Sequence, residues 1–95
     1  MKIDIVSHGY NLDDKLKELL LKKLKRLDKY FGAETPARLG LSMQSGSYMM
    51  EITIFSEKPV RAEASGPNMN ANIDLLIPRI KRQFRKEHTK ELSQR

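Results

Sequence analysis

Residues 38–55 read R-L-G-L-S-M-Q-S-G-S-Y-M-M-E-I-T-I-F, and their alternation decides the fold. Leu39, Leu41 and Met43 recur at every second position against Arg38, Gly40, Ser42 and Gln44, the period of a strand with one apolar face. Ser45-Gly46-Ser47 reads as a tight turn, so the next run returns antiparallel. In that run Met50, Ile52 and Ile54 share the core face while Glu51 and Thr53 point away. Glu57-Lys58-Pro59 marks a second turn. Beyond it Val60, Ala62 and Ala64 alternate with Arg61, Glu63 and Ser65, and the small alanines leave room for a helix to lie close.

Upstream of this sheet, Leu16, Leu20, Leu24, Leu27 and Phe31 recur at spacings of four, four, three and four, which predicts one amphipathic helix ending at Gly32. Asn11 or Asp13 can cap it, and Asp13 and Asp14 suit the positive end of its dipole. Before the helix, Ile3 and Ile5 alternate with Lys2, Asp4 and Val6 as a short half-buried strand, broken by His8-Gly9-Tyr10-Asn11. Downstream, Gly66-Pro67-Asn68 closes the last strand, and Asn68 caps a helix whose apolar stripe is Ile73, Leu76, Ile77, Ile80 and Phe84. The predicted fold class is α+β, in the order β-α-β-β-β-α, with both helices packed on one face of a four-stranded sheet. A chain of 95 residues suits one domain, residues 1–95, which buries about 65% of its unfolded surface.

Pro78 interrupts this picture. It stands inside the last helix, removes the amide that would bond to Asp74, and carries a cost near 3 kcal/mol unless contacts offset it. Two readings are open: a kink that re-aims the residues beyond it, or a tolerated local defect.

The residues beyond Pro78 are basic. Arg79, Arg82, Lys86 and Lys90 fall into one stripe on a helix, away from the apolar one. The net charge of +6 is unevenly spread: residues 12–31 hold seven Lys/Arg against four acids, and residues 69–95 hold seven against three. Everything else is net −1, so the excess lies on the two helices, a pattern that favours a footprint for phosphate over a solubility device. Lys23 is the anomaly of the first helix, at about 340° inside an apolar arc that runs from about 300° to about 80° with Leu16 as zero. Either its stem snorkels past the core edge or its ammonium emerges beside the second helix as part of a site. Lys15, Lys22, Arg26 and Lys29 lie on the adjoining polar side, and Lys23 and Arg26, three apart, can grip the same phosphate strand.

Other chemistry is scarce. His8 and His88 have no partner at metal-ligand spacing, no glycine-rich phosphate loop precedes either helix, and carboxylates occur singly among basic residues. Met43, Met49, Met50 and Met69 read as core or sheet filler. No enzyme activity, cofactor, metal or small-molecule substrate is expected. With no cysteine, no signal-peptide run and no apolar stretch near 18 residues, the expected setting is a reducing cytoplasm without membrane contact.

The residues also carry a family likeness. M-K-I-D-I-V at the start, L-x-x-K-L-K-R-L-D-K-Y-F ending at Phe31, A-E-A-S-G at residues 62–66, N-M-N-A-N-I-D-L-L-I at residues 68–77 and R-I-K-R-Q-F-R-K from Arg79 together resemble the short form of the ribosome hibernation-promoting factor family, which includes ribosome-associated inhibitors and sigma-54 modulation proteins. The resemblance spans the whole chain; its specificity lies in the order and spacing of motifs that are individually weak. It implies a fold like a double-stranded-RNA-binding domain, no catalysis, and binding to the small ribosomal subunit and its rRNA between head and body, over the mRNA and tRNA path. It also implies a monomer away from the ribosome. The family's basic positions fall on Lys23, Arg26, Arg79, Arg82 and Lys86. With their neighbours, the expected RNA-binding residues are Lys22, Lys23, Arg26, Arg79, Arg82, Lys86 and Lys90.

Departures from the pattern are specific. Asn68, Asn70 and Asn72 stand where the family usually has D-M-Y-A-A-I-D, so an aromatic contact near the start of the last helix is missing. Pro78 replaces a helix-compatible residue, and the sequence ends at Arg95 without the acidic tail or dimerising domain of other family types. Two other functions fit the same residues: a general double-stranded-RNA-binding module on the same helices, and a protein-binding module on the open sheet face, where Arg38, Glu51, Arg61 and Glu63 mix both signs.

Overall fold

A computed structural model of the chain describes residues 1–9 and 11–93, with side chains through Lys86; Tyr10, at the predicted break after the first strand, lies outside the described residues. The hairpin forms where the alternation places it. Strand β2 (Pro36–Gln44) pairs antiparallel with β3 (Ser47–Ile54), closed by Gln44 opposite Ser47. The two intervening residues both take positive φ, Ser45 at 51° and Gly46 at 79°, as the tight hairpin turn matched to strand twist requires. β4 (Val60–Gly66) adds antiparallel to β3. β1 (Lys2–His8) pairs parallel with β2, from Lys2 opposite Pro36 to His8 opposite Ser42, which gives the sheet order β1-β2-β3-β4. A parallel neighbour needs a crossover, and the first helical segment supplies it.

That segment differs from the expected single helix. It is α1 (Asp14–Leu24), a 3-10 turn over Lys25–Leu27, and a last helical turn, α2 (Asp28–Phe31). The spacing of three between Leu24 and Leu27 matches the tighter 3-10 repeat, and both leucines are 0% exposed. Asp13 is the cap, accepting from the Lys15 N–H at 2.8 Å, while Gly32 closes the end at φ 91° and donates to the Asp28 carbonyl.

The long helix α3 (Met69–Ser93) begins at Asn68, whose side chain accepts from the Ala71 N–H at 3.1 Å. It runs through Pro78 without a break. Pro78 and Asp74 are both exposed, so the carbonyl orphaned by the proline sits on the solvent side, where water can satisfy it.

Both helical segments cover one sheet face, and the core joins Leu20, Leu24 and Leu27 to Leu39, Leu41, Met50, Ile52, Ile54, Val60, Ile73, Leu76 and Ile80. Four apolar residues of the expected set are less buried than this core. Met43 shares the core face but is 44% exposed, because it lies near the hairpin end. Met49 is on the outer face and 39% exposed. Phe84 and Leu16 are half-buried at the rim. Asn72, by contrast, is buried, and its amide donates to the carbonyls of Tyr48 at 3.0 Å and Gly66 at 3.3 Å, tying the helix start to β3 and β4.

Candidate nucleic-acid interface

Each flank of α3 is fixed by named contacts. Along β4, the edge strand, Arg79 Nη1 donates to the Glu63 carbonyl at 2.6 Å, and Gln83 Oε1 accepts from the Arg61 N–H at 2.8 Å. These are backbone groups that an edge strand leaves without a ladder partner, so the two side chains close part of the sheet edge. On the other flank α3 meets the first helical segment. Lys23 Nζ reaches the Asp74 carboxylate at 2.8 Å, and the Phe84 ring meets Tyr30 and Phe31 edge-on with centroids 5.3 and 5.2 Å away.

These contacts place the expected RNA-binding residues. Lys22 and Arg26 project to solvent from the first helical segment, and Arg82 and Lys86 project from α3. Lys23 does emerge beside the second helix, but its side chain is only 20% exposed and its charge is matched by Asp74. Arg79 is turned towards the β4 edge, on the flank of α3 away from Lys23, so the five family positions do not face one another across a single cleft. Lys90 has its side chain outside the described residues. Two cations that the stripe leaves out, half-buried Lys81 and exposed Arg85, lie by helical phase on the α1 side of α3. Gln83 and Asp74 are contact residues that periodicity alone misses. Their signal in the sequence is only that both border the apolar arc.

The opposite face of the sheet has a different electrostatic character. Its charged side chains are Lys2, Arg38 and Arg61 against Asp4, Glu51 and Glu63, three of each sign. Arg61 reaches Glu51 at 2.7 Å and Arg38 lies 4.0 Å from Asp4. The Glu51 carboxylate holds the Arg61 guanidinium still further above its usual range, so Arg61 stays charged throughout ordinary pH. A shallow hollow of about 510 Å³ opens on this face above Gly40, bordered by Arg38, Met49, Glu51, Glu63 and Arg79. The helical side is where charge is unbalanced: residues 14–31 carry seven Lys/Arg and three acids, and residues 69–86 carry five and one. Among the described residues no three His, Asp or Glu side chains converge as a metal site, and no helix is long and apolar enough to cross a membrane.

Comparison with known proteins identifies the kin of this arrangement. Residues 3–91 match the family described as sigma 54 modulation protein / S30EA ribosomal protein. The chain belongs to that family. It is similar to the ribosome hibernation promoting factor of Azotobacter vinelandii, 28% identical over 93 residues that cover 97% of this chain and 87% of the relative. The factor of the same name from Salmonella typhimurium is 26% identical over 91 residues, covering 95% and 96% of the two chains. Among solved structures, the N-terminal domain of Thermus thermophilus protein Y superposes with a TM-score of 0.80 at 27% identity, over 90% of this chain and 98% of that one. A ribosomal subunit interface protein from Coxiella burnetii shares the fold, with a TM-score of 0.81 at 20% identity over 94% and 99% of the two chains. The expected β-α-β-β-β-α architecture and the family likeness read from the motifs both agree with these matches.

Proposed function

We propose that this chain is a ribosome hibernation factor that binds the small ribosomal subunit through its helical side and lies over the mRNA and tRNA path. The observation that carries the reading is the separation of charge between the two sides of the sheet. The helices hold all of the net positive charge, the rest of the chain being net −1, while the outer sheet face is balanced and internally paired. A phosphate backbone is drawn to the first surface and gains nothing from the second. Membership of the family, and relatives named as hibernation promoting factors, supply the ribosome as the polyanion.

The residues assigned to this role are Lys22, Lys23, Arg26, Arg79, Arg82, Lys86 and Lys90. They do not contribute equally. Lys22, Arg26, Arg82 and Lys86 project to solvent and meet phosphate directly. Arg79 donates one N–H to Glu63, which leaves the rest of its five-donor fork for an RNA oxygen and holds the fork in place. Lys23 must share its charge with Asp74. Contacts of this kind position the protein on folded RNA by backbone shape instead of base sequence. Inhibition then follows from occupying a site, and no bond is made or broken.

Co-sedimentation tests the reading. The protein is expected to travel with purified small subunits and not with free duplex RNA at the same salt. Binding to any duplex would make it a general double-stranded-RNA module, and binding to neither would return attention to the sheet face.

A further inference from the structure

The groove between the first helical segment and α3 carries positive charge that the Arg79–Arg82–Lys86 stripe does not include. On an ideal helix with Arg79 as zero, the buried residues of α3 centre at about 100°. Arg82 and Lys86 then lie at about 300° and about 340°, and Lys81 and Arg85 at about 200° and about 240°. The contacts of Asp74 with Lys23 and of Phe84 with Tyr30 and Phe31 show that the last pair is on the side facing the first helical segment. Both contacts advance along the two helices in the same direction, from residue 23 to 30 on one and 74 to 84 on the other. Arg26 and Lys81 therefore both lie in the stretch between them, on the facing sides of the two helices. Arg26, Lys81 and Arg85 form no ion pair with any other described residue, and the acid beside them, Asp74, is engaged by Lys23. Cations without an ion-pair partner among the described residues, along a groove whose described carboxylate is already matched, make a site for a polyanion.

We propose that Arg26, Lys81 and Arg85 form a second phosphate track, which grips a stretch of RNA backbone other than the one held by Arg82 and Lys86. Lys81 and Lys86 point about 140° apart, on opposite sides of a helix roughly 10–12 Å across. Arg85 and Arg82, three apart, are neighbours about 60° from each other. The two lines are nevertheless centred about 100° apart, so a backbone held by Lys81 and Arg85 diverges from one held by Arg82 and Lys86, and the domain sits between two. This inference rests on the proposed binding to the small subunit and specifies how that binding is made.

The test uses the full chain, purified small ribosomal subunits, and the variants K81Q/R85Q and R82Q/K86Q. Affinity is measured over a range of salt, and backbone protection of the rRNA is mapped by hydroxyl radicals. K81Q/R85Q is expected to reduce the magnitude of the log–log salt slope by about 1.4–1.8, two lost contacts at roughly 0.7–0.9 each. It should also lose protection at nucleotides different from those lost in R82Q/K86Q, while K81R/R85K keeps the wild-type slope. Because Lys81 is half-buried, R85Q alone, at an exposed position, carries the test if the double variant does not fold; its slope should change by about 0.7–0.9. A wild-type slope in K81Q/R85Q or R85Q, or loss of protection at the same nucleotides in both double variants, overturns the second track and leaves the proposed function standing. Failure of the wild-type chain to bind small subunits would instead overturn the proposed function, and the track with it.

Discussion

Among the described residues, Asn72 is the polar side chain buried in the core, and its amide satisfies two strand carbonyls at once. Asn72→Ala leaves those carbonyls without that donor and should cost about 1–3 kcal/mol in chemical denaturation. Gly66 belongs to the same unit, because a Cβ there would stand 2.9 Å from Asn72 Oδ1. Gly66→Ala should therefore destabilise the wild type but cost much less in the Asn72→Ala background, where the obstruction is gone. Equal costs in both backgrounds would show that the two residues are not coupled. The three asparagines that set this chain apart from the family pattern have separate roles: Asn68 caps, Asn72 ties the helix to the sheet, and Asn70 is exposed. At Arg79 the structure also alters an expectation. Its hydrogen bond to Glu63 makes it part of the fold, so Arg79→Gln should lower stability by about 1 kcal/mol, whereas Arg82→Gln and Lys86→Gln should leave the melting temperature unchanged. Identical melting curves for all three would remove the structural role of Arg79.

The hairpin between β2 and β3 shows what is legible at the scale of elements. Its strands follow from alternation because one face is buried and the other is not, and a slip of one residue would exchange the two. The turn is legible too, but its strain is not: Ser45 sits at φ 51°, where a side chain is disfavoured and Asn or Gly is preferred. Ser45→Asn is expected to raise the melting temperature by a few degrees, since 1 kcal/mol corresponds to about 4–8 °C in a domain of this size. A fall would mean that the serine makes a compensating contact. The helices are less completely legible. Periodicity locates their buried faces, yet the sides of α3 that meet β4 and α1 depend on tertiary placement. Helical phase by itself therefore does not single out Gln83, Asp74, Lys81 and Arg85, and it groups Arg79 with freely exposed cations. The 3-10 turn at Lys25–Leu27 is hidden for a related reason, since leucines spaced by three suit either helix type.

Viewed whole, the molecule has two sides, and the proposed function rests on the difference between them. Replacing Arg82 and Lys86 by Gln should weaken binding to small subunits, while Lys2→Gln and Arg38→Gln on the outer sheet face should not. About six phosphate contacts by the wild type predict a log–log salt slope of roughly −4 to −5. A flat response would mean that the helical charge is surface dressing. The central claim of the proposed function, however, is occlusion: inhibition by a protein that would stand where mRNA and tRNA must pass. The most direct test fixes the concentrations of this protein and of small subunits, raises mRNA and initiator tRNA together, and measures by co-sedimentation the fraction of the protein that remains bound. Under occlusion this fraction falls towards zero as the two ligands saturate their sites. A bound fraction that stays constant at saturating mRNA and initiator tRNA would contradict occlusion and place the binding site elsewhere on the subunit.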